Sequence, residues 1–251
     1  MWIDTHCHPF SESYENPAQV VRRAEKAGVG KIISVGYTKE ANRLTLEMAE
    51  KFPSIFAVLG IHPSECDDLS DEEISWMREK SKSPKVVAIG EIGLDYFRNK
   101  FSPEKQEEVF RKQIRLAKEL ALPCVIHSRD SGEETLKILI DEKLEKAVFH
   151  CYSYDLDFAR KVWERGYYTS FTGIVTYPKA DGLRDVVKAV PEDLFFVETD
   201  CPYLPPQSKR GQVNEMAYIV EIYEKIAELR GVSAEELAKT CEKNVKQSFG
   251  I

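Results

Sequence analysis

Eight short apolar runs alternate with amphipathic segments along the chain, and this alternation restricts its fold more than any other feature. The runs are continuous and rich in Val, Ile and Phe, which is typical of parallel strands buried on both faces. Repeated strand–helix units of this kind predict a parallel sheet. The runs are MWIDTH (1–6), KIISVG (31–36), IFAVLGIH (55–62), VVAIGEIG (86–93), PCVIHS (123–128), KAVFHC (146–151), YYTSFTG (167–173) and LFFVETD (194–200).

Residues that favour the start of a helix lie between the apolar runs. Asn16-Pro17 and Ser102-Pro103 each place a capping residue before a proline at the first helical position. Capping boxes open SDEE at Ser70 and SAEE at Ser233. No Ser/Gly-rich linker divides the 251 residues, of which 43% are hydrophobic. Together these features predict an α/β fold, a single (β/α)8 TIM-barrel domain over residues 1–251.

Histidines and two acids stand where the predicted strands end. His6 and His8 are two residues apart, so in a strand both imidazoles point to the same side. All five histidines of the chain occupy such ends. Packed or solvent-facing histidines, and acids in ordinary salt bridges, would give the same local patterns one at a time. Taken together, the set favours a metal site, and it comprises His6, His8, His62, Glu91, His127, His150 and Asp200.

Imidazole and carboxylate ligands without a thiolate fit Zn²⁺, Mn²⁺, Fe²⁺ or Ni²⁺ better than Ca²⁺. Mg²⁺ is a further candidate for the divalent cation. Up to six ligands are too many for one tetrahedral ion and suit two divalent cations with a bridging carboxylate. Two cations about 3.5–4 Å apart clamp the attacking and leaving oxygens of a hydrolytic displacement and activate a water molecule. Cys7 and Cys151 lie beside candidate ligands, but strand alternation turns Cys7 away, and neither is assigned as a ligand.

Seven motifs in order along nearly the whole chain resemble the TatD family of metal-dependent hydrolases, within the amidohydrolase-like barrels. They are DTHCH (4–8), GIHP (60–63), GEIGLDY (90–96), PCVIHSRD (123–130), HCYS (150–153), SFTGIVTYPKA (170–180) and ETDCPYL (198–204). Related barrels that cleave amides or phosphotriesters are similar but carry a carboxylated lysine on strand four, where this chain has Glu91.

The resemblance implies a two-metal barrel. It assigns His6, His8 and Asp200 to one cation and His127 and His150 to the second, with Glu91 bridging them. His62 then lies in the pocket outside the ligand set and binds substrate. Three departures from the family pattern, Val213, Met216 and Tyr154, fall in loops that would border the substrate.

The resemblance also implies a nuclease that hydrolyses phosphodiester bonds in DNA or RNA, often from a 3′ end. Arg129 is a candidate phosphate ligand, because its planar guanidinium binds two oxygens at once. Lys209, Arg210, Tyr96, Phe97 and Tyr203 are further candidates for substrate contacts. Glu91 and Asp200 are the catalytic candidates: besides binding metal, Asp200 would accept the proton of the attacking water.

Two alternatives stay open. One is a metal-dependent hydrolase of a small-molecule or aminoacyl ester or amide; the other is a metal-binding scaffold without turnover, which the full ligand set disfavours. The net charge of −7 argues against nonspecific nucleic-acid affinity but does not separate nuclease from small-molecule hydrolase. Six cysteines without C-x-x-C spacing, and no basic-apolar leader or long apolar run, predict a cytoplasmic protein without a membrane span. No obligate protein partner is implied.

Overall fold

The eight apolar runs form eight strands of one sheet in the order β1 to β8. The computed structural model describes residues 1–251. Neighbouring strands pair in parallel, and helices alternate with them, which confirms the predicted (β/α)8 class. The strands are β1 (Trp2–Cys7), β2 (Val29–Val35), β3 (Ile55–Leu59), β4 (Val86–Asp95), β5 (Cys124–Arg129), β6 (Ala147–Phe149), β7 (Tyr168–Phe171) and β8 (Phe195–Val197).

Nine α-helices and four 3-10 turns connect and follow the strands. None of the helices combines the length with the apolar sequence that a membrane span requires. The helices are α1 (Pro17–Lys26), α2 (Lys39–Lys51), α3 (Asp71–Lys80), α4 (Pro103–Glu119), α5 (Gly132–Asp141), α6 (Leu156–Trp163), α7 (Asp181–Ala189), α8 (Ile219–Arg230) and α9 (Ala234–Phe249). The 3-10 turns are Pro63–Asp68, Gly173–Thr176, Gln207–Lys209 and Met216–Tyr218.

The predicted helix starts are present, with one difference. Asn16 and Ser102 cap α1 and α4 through their side-chain oxygens, and Ser233 forms the full capping box of α9. At α3, Ser70 accepts a hydrogen bond from the backbone N–H of Glu73, but the reciprocal half of the box is absent. The buried Glu73 carboxylate instead pairs with Arg43, since a desolvated carboxylate gains more from a guanidinium than from a backbone N–H.

The chain forms two compact units, residues 1–34 with 151–251 and residues 35–150. In the first unit, Phe171, Phe195 and Tyr223 are fully buried. There the backbone N–H of Asp200 donates to the carbonyl of His6, which ties the segment after β8 to the end of β1. The extent of a single domain over residues 1–251 stays a prediction.

In the second unit, Ile55, Leu59, Phe110 and Phe149 are fully buried. Strands β4 and β5 run in register from Ile92 and Ile126 onward. Gly93 makes this pairing possible: its φ is +145°, and a Cβ atom there would lie 1.9 Å from the carbonyl oxygen of His127. Only glycine fits that position, which keeps the backbone of β4 against β5 where His127 stands.

Two glutamines of α4 act as partners for backbone at the ends of β3 and β4. The amide of Gln113 accepts from the N–H of Ile61 at 2.7 Å and donates to the Ile61 carbonyl at 3.0 Å. Gln106 makes the same pair of bonds to the backbone of Asp95, at 2.8 and 3.2 Å. Both glutamines are buried and lie seven residues apart, on one face of the helix. The backbone beside His62 and that of Asp95 are therefore held by the same helix.

Candidate metal centre

Within the first unit, the structure brings together His6, His8 and Asp200. The Oδ1 atom of Asp200 lies 3.8 Å from Nε2 of His6 and 3.5 Å from Nε2 of His8. These separations exceed hydrogen-bond length. They are close to the roughly 3–3.6 Å expected between donor atoms that share one ion at about 2.0–2.2 Å. Both histidines are buried, and one donor atom from each of the three residues lies within 4.8 Å of the others. The donors fit a divalent cation.

Backbone hydrogen bonds fix the position of the loop around Asp200, which lies three residues beyond β8. Its φ of 52° is left-handed, and the next residue, Cys201, accepts a hydrogen bond from the N–H of His8 at 2.8 Å. Asn214 donates to the carbonyls of Thr199 and Tyr203, on either side of Asp200. The buried Asn214 amide therefore holds the loop that carries the candidate ligand Asp200.

Asp4 is a buried carboxylate that the sequence reasoning left without a role. It accepts hydrogen bonds from the backbone N–H and the hydroxyl of Thr199, at 3.0 and 2.6 Å, and from the N–H of His6 at 3.3 Å. Burial raises the pKa of Asp4 to about 8. Asp4 therefore fixes Thr199, the neighbour of Asp200, and the backbone of His6.

Within the second unit, three imidazoles gather around Glu91, and the four residues together form the Glu91 group. One carboxylate oxygen, Oε1, lies 2.8 Å from Nδ1 of His127, 2.9 Å from Nε2 of His150 and 3.6 Å from Nε2 of His62. Burial opposes ionisation of Glu91, but the nearby imidazoles outweigh it and hold the pKa of this carboxyl well below its usual range. A buried, ionised carboxylate among imidazoles is the donor chemistry that a divalent cation requires.

His127 lies between two carboxylates. Its contacts show whether the residues around Glu91 fit a divalent cation. Its Nε2 atom lies 3.1 Å from Oδ2 of Asp95, while Nδ1 faces Glu91. A neutral imidazole donates from only one nitrogen, so it satisfies Asp95 and leaves an Nδ1 lone pair directed at the Glu91 oxygen. A cation bound by both groups would remove that repulsion, as would protonation of the ring, and the two carboxylates do raise the pKa of His127 against its burial.

Asp95 is a further candidate functional residue, which the sequence pattern did not single out. Burial disfavours its charged form, yet hydrogen bonds from His127 and from the N–H of Arg98 lower the pKa of Asp95 to about 2. A carboxylate that orients a metal-binding histidine is a recurrent arrangement at metal sites. The signal was its spacing: Asp95 is four residues after Glu91 in one strand, and therefore on the same side.

His62 lies three residues beyond β3, which ends at Leu59, and not at the strand end that the apolar run predicts. The N–H of Ser64 donates to Nδ1 of His62 at 3.0 Å. Burial, followed by the charge of His127, lowers the pKa of His62 to about 3, so the ring is neutral. With Nδ1 accepting, the proton sits on Nε2, the atom that faces Glu91. His62 thus presents a donor to the group rather than a lone pair.

The predicted substrate contacts fall in both units, and only some of them lie at the end of a strand. Arg129 ends β5, is exposed, and places its guanidinium over the ring of Phe97. Tyr203, in the first unit, is 57% exposed with its ring 6.3 Å from that of His8. Lys209 lies 3.7 Å from Glu221, and Arg210 lies over Tyr177. Of the three cationic candidates, only Arg129 is next to a group of candidate ligands in sequence and register.

Replacing Asp95 by Asn is expected to weaken binding of Mn²⁺ or Zn²⁺ by about 10–100-fold, because His127 loses the carboxylate that fixes its tautomer. Isothermal titration calorimetry with either ion measures the change in Kd. Asp155→Asn is the control, since Asp155 caps α6 and asparagine caps as well as aspartate. If Asp95→Asn binds the ions as tightly as the parent protein does, Asp95 does not orient His127 for metal binding.

Comparison with known proteins gives a consistent result. The family described as TatD related DNase matches residues 3–250. The metal-dependent hydrolase YabD of Bacillus subtilis, named as uncharacterized, is 40% identical over 254 residues and is aligned over 100% of both chains. A 3'-5' ssDNA/RNA exonuclease TatD of Escherichia fergusonii is 35% identical over 239 residues, 92% of each chain. The crystal structure of YjjV, a TatD homologue of Escherichia coli K12, superposes with a TM-score of 0.91 at 32% identity, over 100% of this chain and 98% of that one.

Proposed function

We propose that this chain, which belongs to the family of TatD-related DNases, is a metal-dependent nuclease that hydrolyses phosphodiester bonds in DNA and proceeds from the 3′ end. The observation that carries the proposal is the pair of imidazole–carboxylate groups, His6, His8 and Asp200 in one unit and the Glu91 group in the other. A relative that is 35% identical is named as an exonuclease, which supports the phosphodiester as the bond that is cleaved.

The ligand assignment belongs to the same proposal. His6, His8 and Asp200 would hold one divalent cation and His127 and His150 a second, with Glu91 shared between them. Cations of this kind act as Lewis acids toward phosphate oxygens and lower the pKa of a bound water molecule toward neutrality. An ionised Glu91, kept so by its imidazole neighbours, supplies the charge that such sharing needs.

The remaining steps fall to side chains. Asp200 would accept the proton of the attacking water, since its carboxylate lies 13% exposed at the side of His6 and His8. His62 would donate from Nε2 to a non-bridging phosphate oxygen. Arg129, whose guanidinium has no carboxylate within 4.0 Å, would bind a neighbouring phosphate. All three act on the substrate or the reacting water.

The proposal is tested with the protein loaded with Mn²⁺, Mg²⁺ or Zn²⁺ and a single-stranded DNA labelled at its 5′ end. We expect a ladder that shortens one nucleotide at a time, which EDTA abolishes, and hydrolysis of bis(p-nitrophenyl) phosphate under the same conditions. A 3′-labelled strand should release its label first. Cleavage of carboxylic or aminoacyl esters without any cleavage of phosphodiesters would replace the proposal with the small-molecule hydrolase alternative.

His62→Ala is expected to leave metal content nearly unchanged while kcat/KM for a phosphodiester falls by about 10–100-fold, the usual loss for a hydrogen bond to a charged group. Elemental analysis and steady-state kinetics measure the two quantities. His62→Gln, which keeps an N–H at the end of the side chain, should recover part of the rate. Loss of both metals in His62→Ala would instead make His62 a ligand.

A further inference from the structure

An exposed aromatic ring lies just beyond the Glu91 group. Phe97 is 62% exposed, although large apolar side chains of this unit such as Phe110 and Phe149 are buried. It is the second residue after Asp95, at the start of the connection from β4 to α4. An aromatic side chain left in solvent at the carboxyl end of a barrel strand gains nothing for the core, and its position is the one that substrate-binding residues occupy.

Arg129 covers one face of this ring. The guanidinium carbon lies 3.7 Å from the ring centroid, a close cation–π stack. The stack is built on the sheet, because Asp95 and Arg129 are partners in the β4–β5 register and the N–H of Tyr96 donates to the Arg129 carbonyl at 3.0 Å. With Arg129 on one face and most of the ring exposed, the opposite face of Phe97 is open.

The charge of Arg129 is not neutralised by a protein carboxylate. Neighbouring cations are different: Arg98 lies 3.8 Å from Asp95, and Lys100 lies 3.0 Å from Glu65. Arg129 makes no ion pair within 4.0 Å, and its guanidinium lies over the ring of Phe97. A guanidinium that is held in place without a carboxylate partner suits the paired oxygens of a phosphate.

The distance between His127 and Arg129 suits two neighbouring phosphates of one nucleic-acid strand. Arg129 and His127 are two residues apart in β5 and so point to the same side of the strand, about 6–7 Å from each other along it. A phosphate bound by Arg129 would therefore be a neighbour of the one held near His127, and a base between them would reach Phe97.

We propose that Phe97 and Arg129 form a nucleotide subsite next to the scissile phosphate: the open face of Phe97 stacks on an unpaired base, and Arg129 binds the adjacent phosphate. The subsite selects single-stranded nucleic acid, because a base inside a duplex has both faces covered by its neighbours. This inference rests on the proposed nuclease function and specifies which part of the chain recognises the strand.

The test is binding without turnover. A fluorescein-labelled oligothymidylate is titrated with the protein in EDTA, and anisotropy gives the Kd. Phe97→Ala should weaken binding by about 5- to 100-fold, the range found for loss of one base–aromatic stack. Phe97→Leu should behave like Phe97→Ala, while Phe97→Tyr should restore binding. On an oligonucleotide whose residues are abasic, the parent protein and Phe97→Ala should bind alike.

Arg129→Gln should weaken binding and reduce the slope of log K against log salt by about 0.7, the value for one phosphate contact on a single strand. Arg22→Gln, which removes another exposed charge, from α1, is the control and should leave the slope unchanged. With metal present, Phe97→Ala should raise KM for the oligonucleotide more than it lowers kcat.

Two results would overturn the subsite. If Phe97→Ala binds and cleaves the strand as the parent does, the ring makes no contact, and the nuclease proposal stands without it. If the same loss appears on the abasic strand, the effect of Phe97 is not stacking. A parent protein that neither binds nor cleaves any strand would overturn the nuclease function and the subsite with it.

Discussion

Asp200→Asn is expected to lower turnover by about 10²–10⁴-fold while the protein still binds metal appreciably. The amide oxygen of asparagine remains a donor toward an ion beside His6 and His8, but it cannot take a proton from water at neutral pH. Turnover measured at saturating metal, with metal content determined on the same sample, separates the two effects. The backbone should tolerate the change, because Asp200 has a φ of 52° and asparagine adopts the left-handed region readily.

Asp130→Asn is a closely matched control. Asp130 directly follows β5, is exposed, and has a φ of 54°, so the same substitution is made at another strand end with the same backbone conformation. It should leave turnover unchanged. If Asp200→Asn keeps near-normal turnover once metal is saturating, Asp200 only ligates, and the proton must go elsewhere.

Glu91→Gln is expected to lower metal affinity by more than about 100-fold and to reduce occupancy by both ions. Changes to residues that merely orient a ligand cost about 10–100-fold, and Glu91 is proposed as a ligand shared by two cations. The substitution also removes the negative charge that His127 and His150 face at 2.8 and 2.9 Å. Elemental analysis of protein equilibrated with Mn²⁺ should fall well below two ions per chain, and hydrolysis should fall with it.

Glu73→Gln controls for the loss of a buried carboxylate. Glu73 is 1% exposed and Glu91 5%, but Glu73 pairs with Arg43 between helices and lies in neither imidazole group. Its substitution should lower the free energy of unfolding and leave metal content intact. If Glu91→Gln reduces the occupancy of one ion only, Glu91 is a ligand but not a bridge.

Features carried by consecutive residues could be predicted from the sequence. Strands buried on both faces need continuous apolar runs, so all eight were visible, and the candidate ligands stood out as polar residues that interrupt or end such runs. His62 shows the limit of this reasoning: the run IFAVLGIH stays apolar to Ile61, but the strand stops at Leu59. Beyond that point the backbone of Ile61 is bonded to a side chain of α4 instead of a neighbouring strand.

What depended on distant residues could not be predicted. The role of Asp95 requires His127, which is thirty-two residues away, to present its second nitrogen. The Glu73 carboxylate has a local partner in Ser70, and only the packing of α2 against α3 provides the stronger one in Arg43. Phe97 and Arg129 were each visible as candidates, but their stacking depends on the β4–β5 register. In each case the deciding partner comes from another element of the fold, so the local sequence does not reveal it.

The paired hydrogen bonds of Gln106 and Gln113 have a consequence for how proteins of this kind diverge. Because one helix holds the backbone of both Ile61 and Asp95, the part of the β4–α4 connection beyond Arg98, whose N–H donates to Asp95, is not needed to keep His62 or the partner of His127 in place. Insertions, deletions or grafted segments between residues 98 and 101 should then alter which strands are bound while leaving the candidate ligand positions intact. Replacement of this short connection is accordingly a practical starting point for re-engineering substrate preference without rebuilding the centre that cleaves.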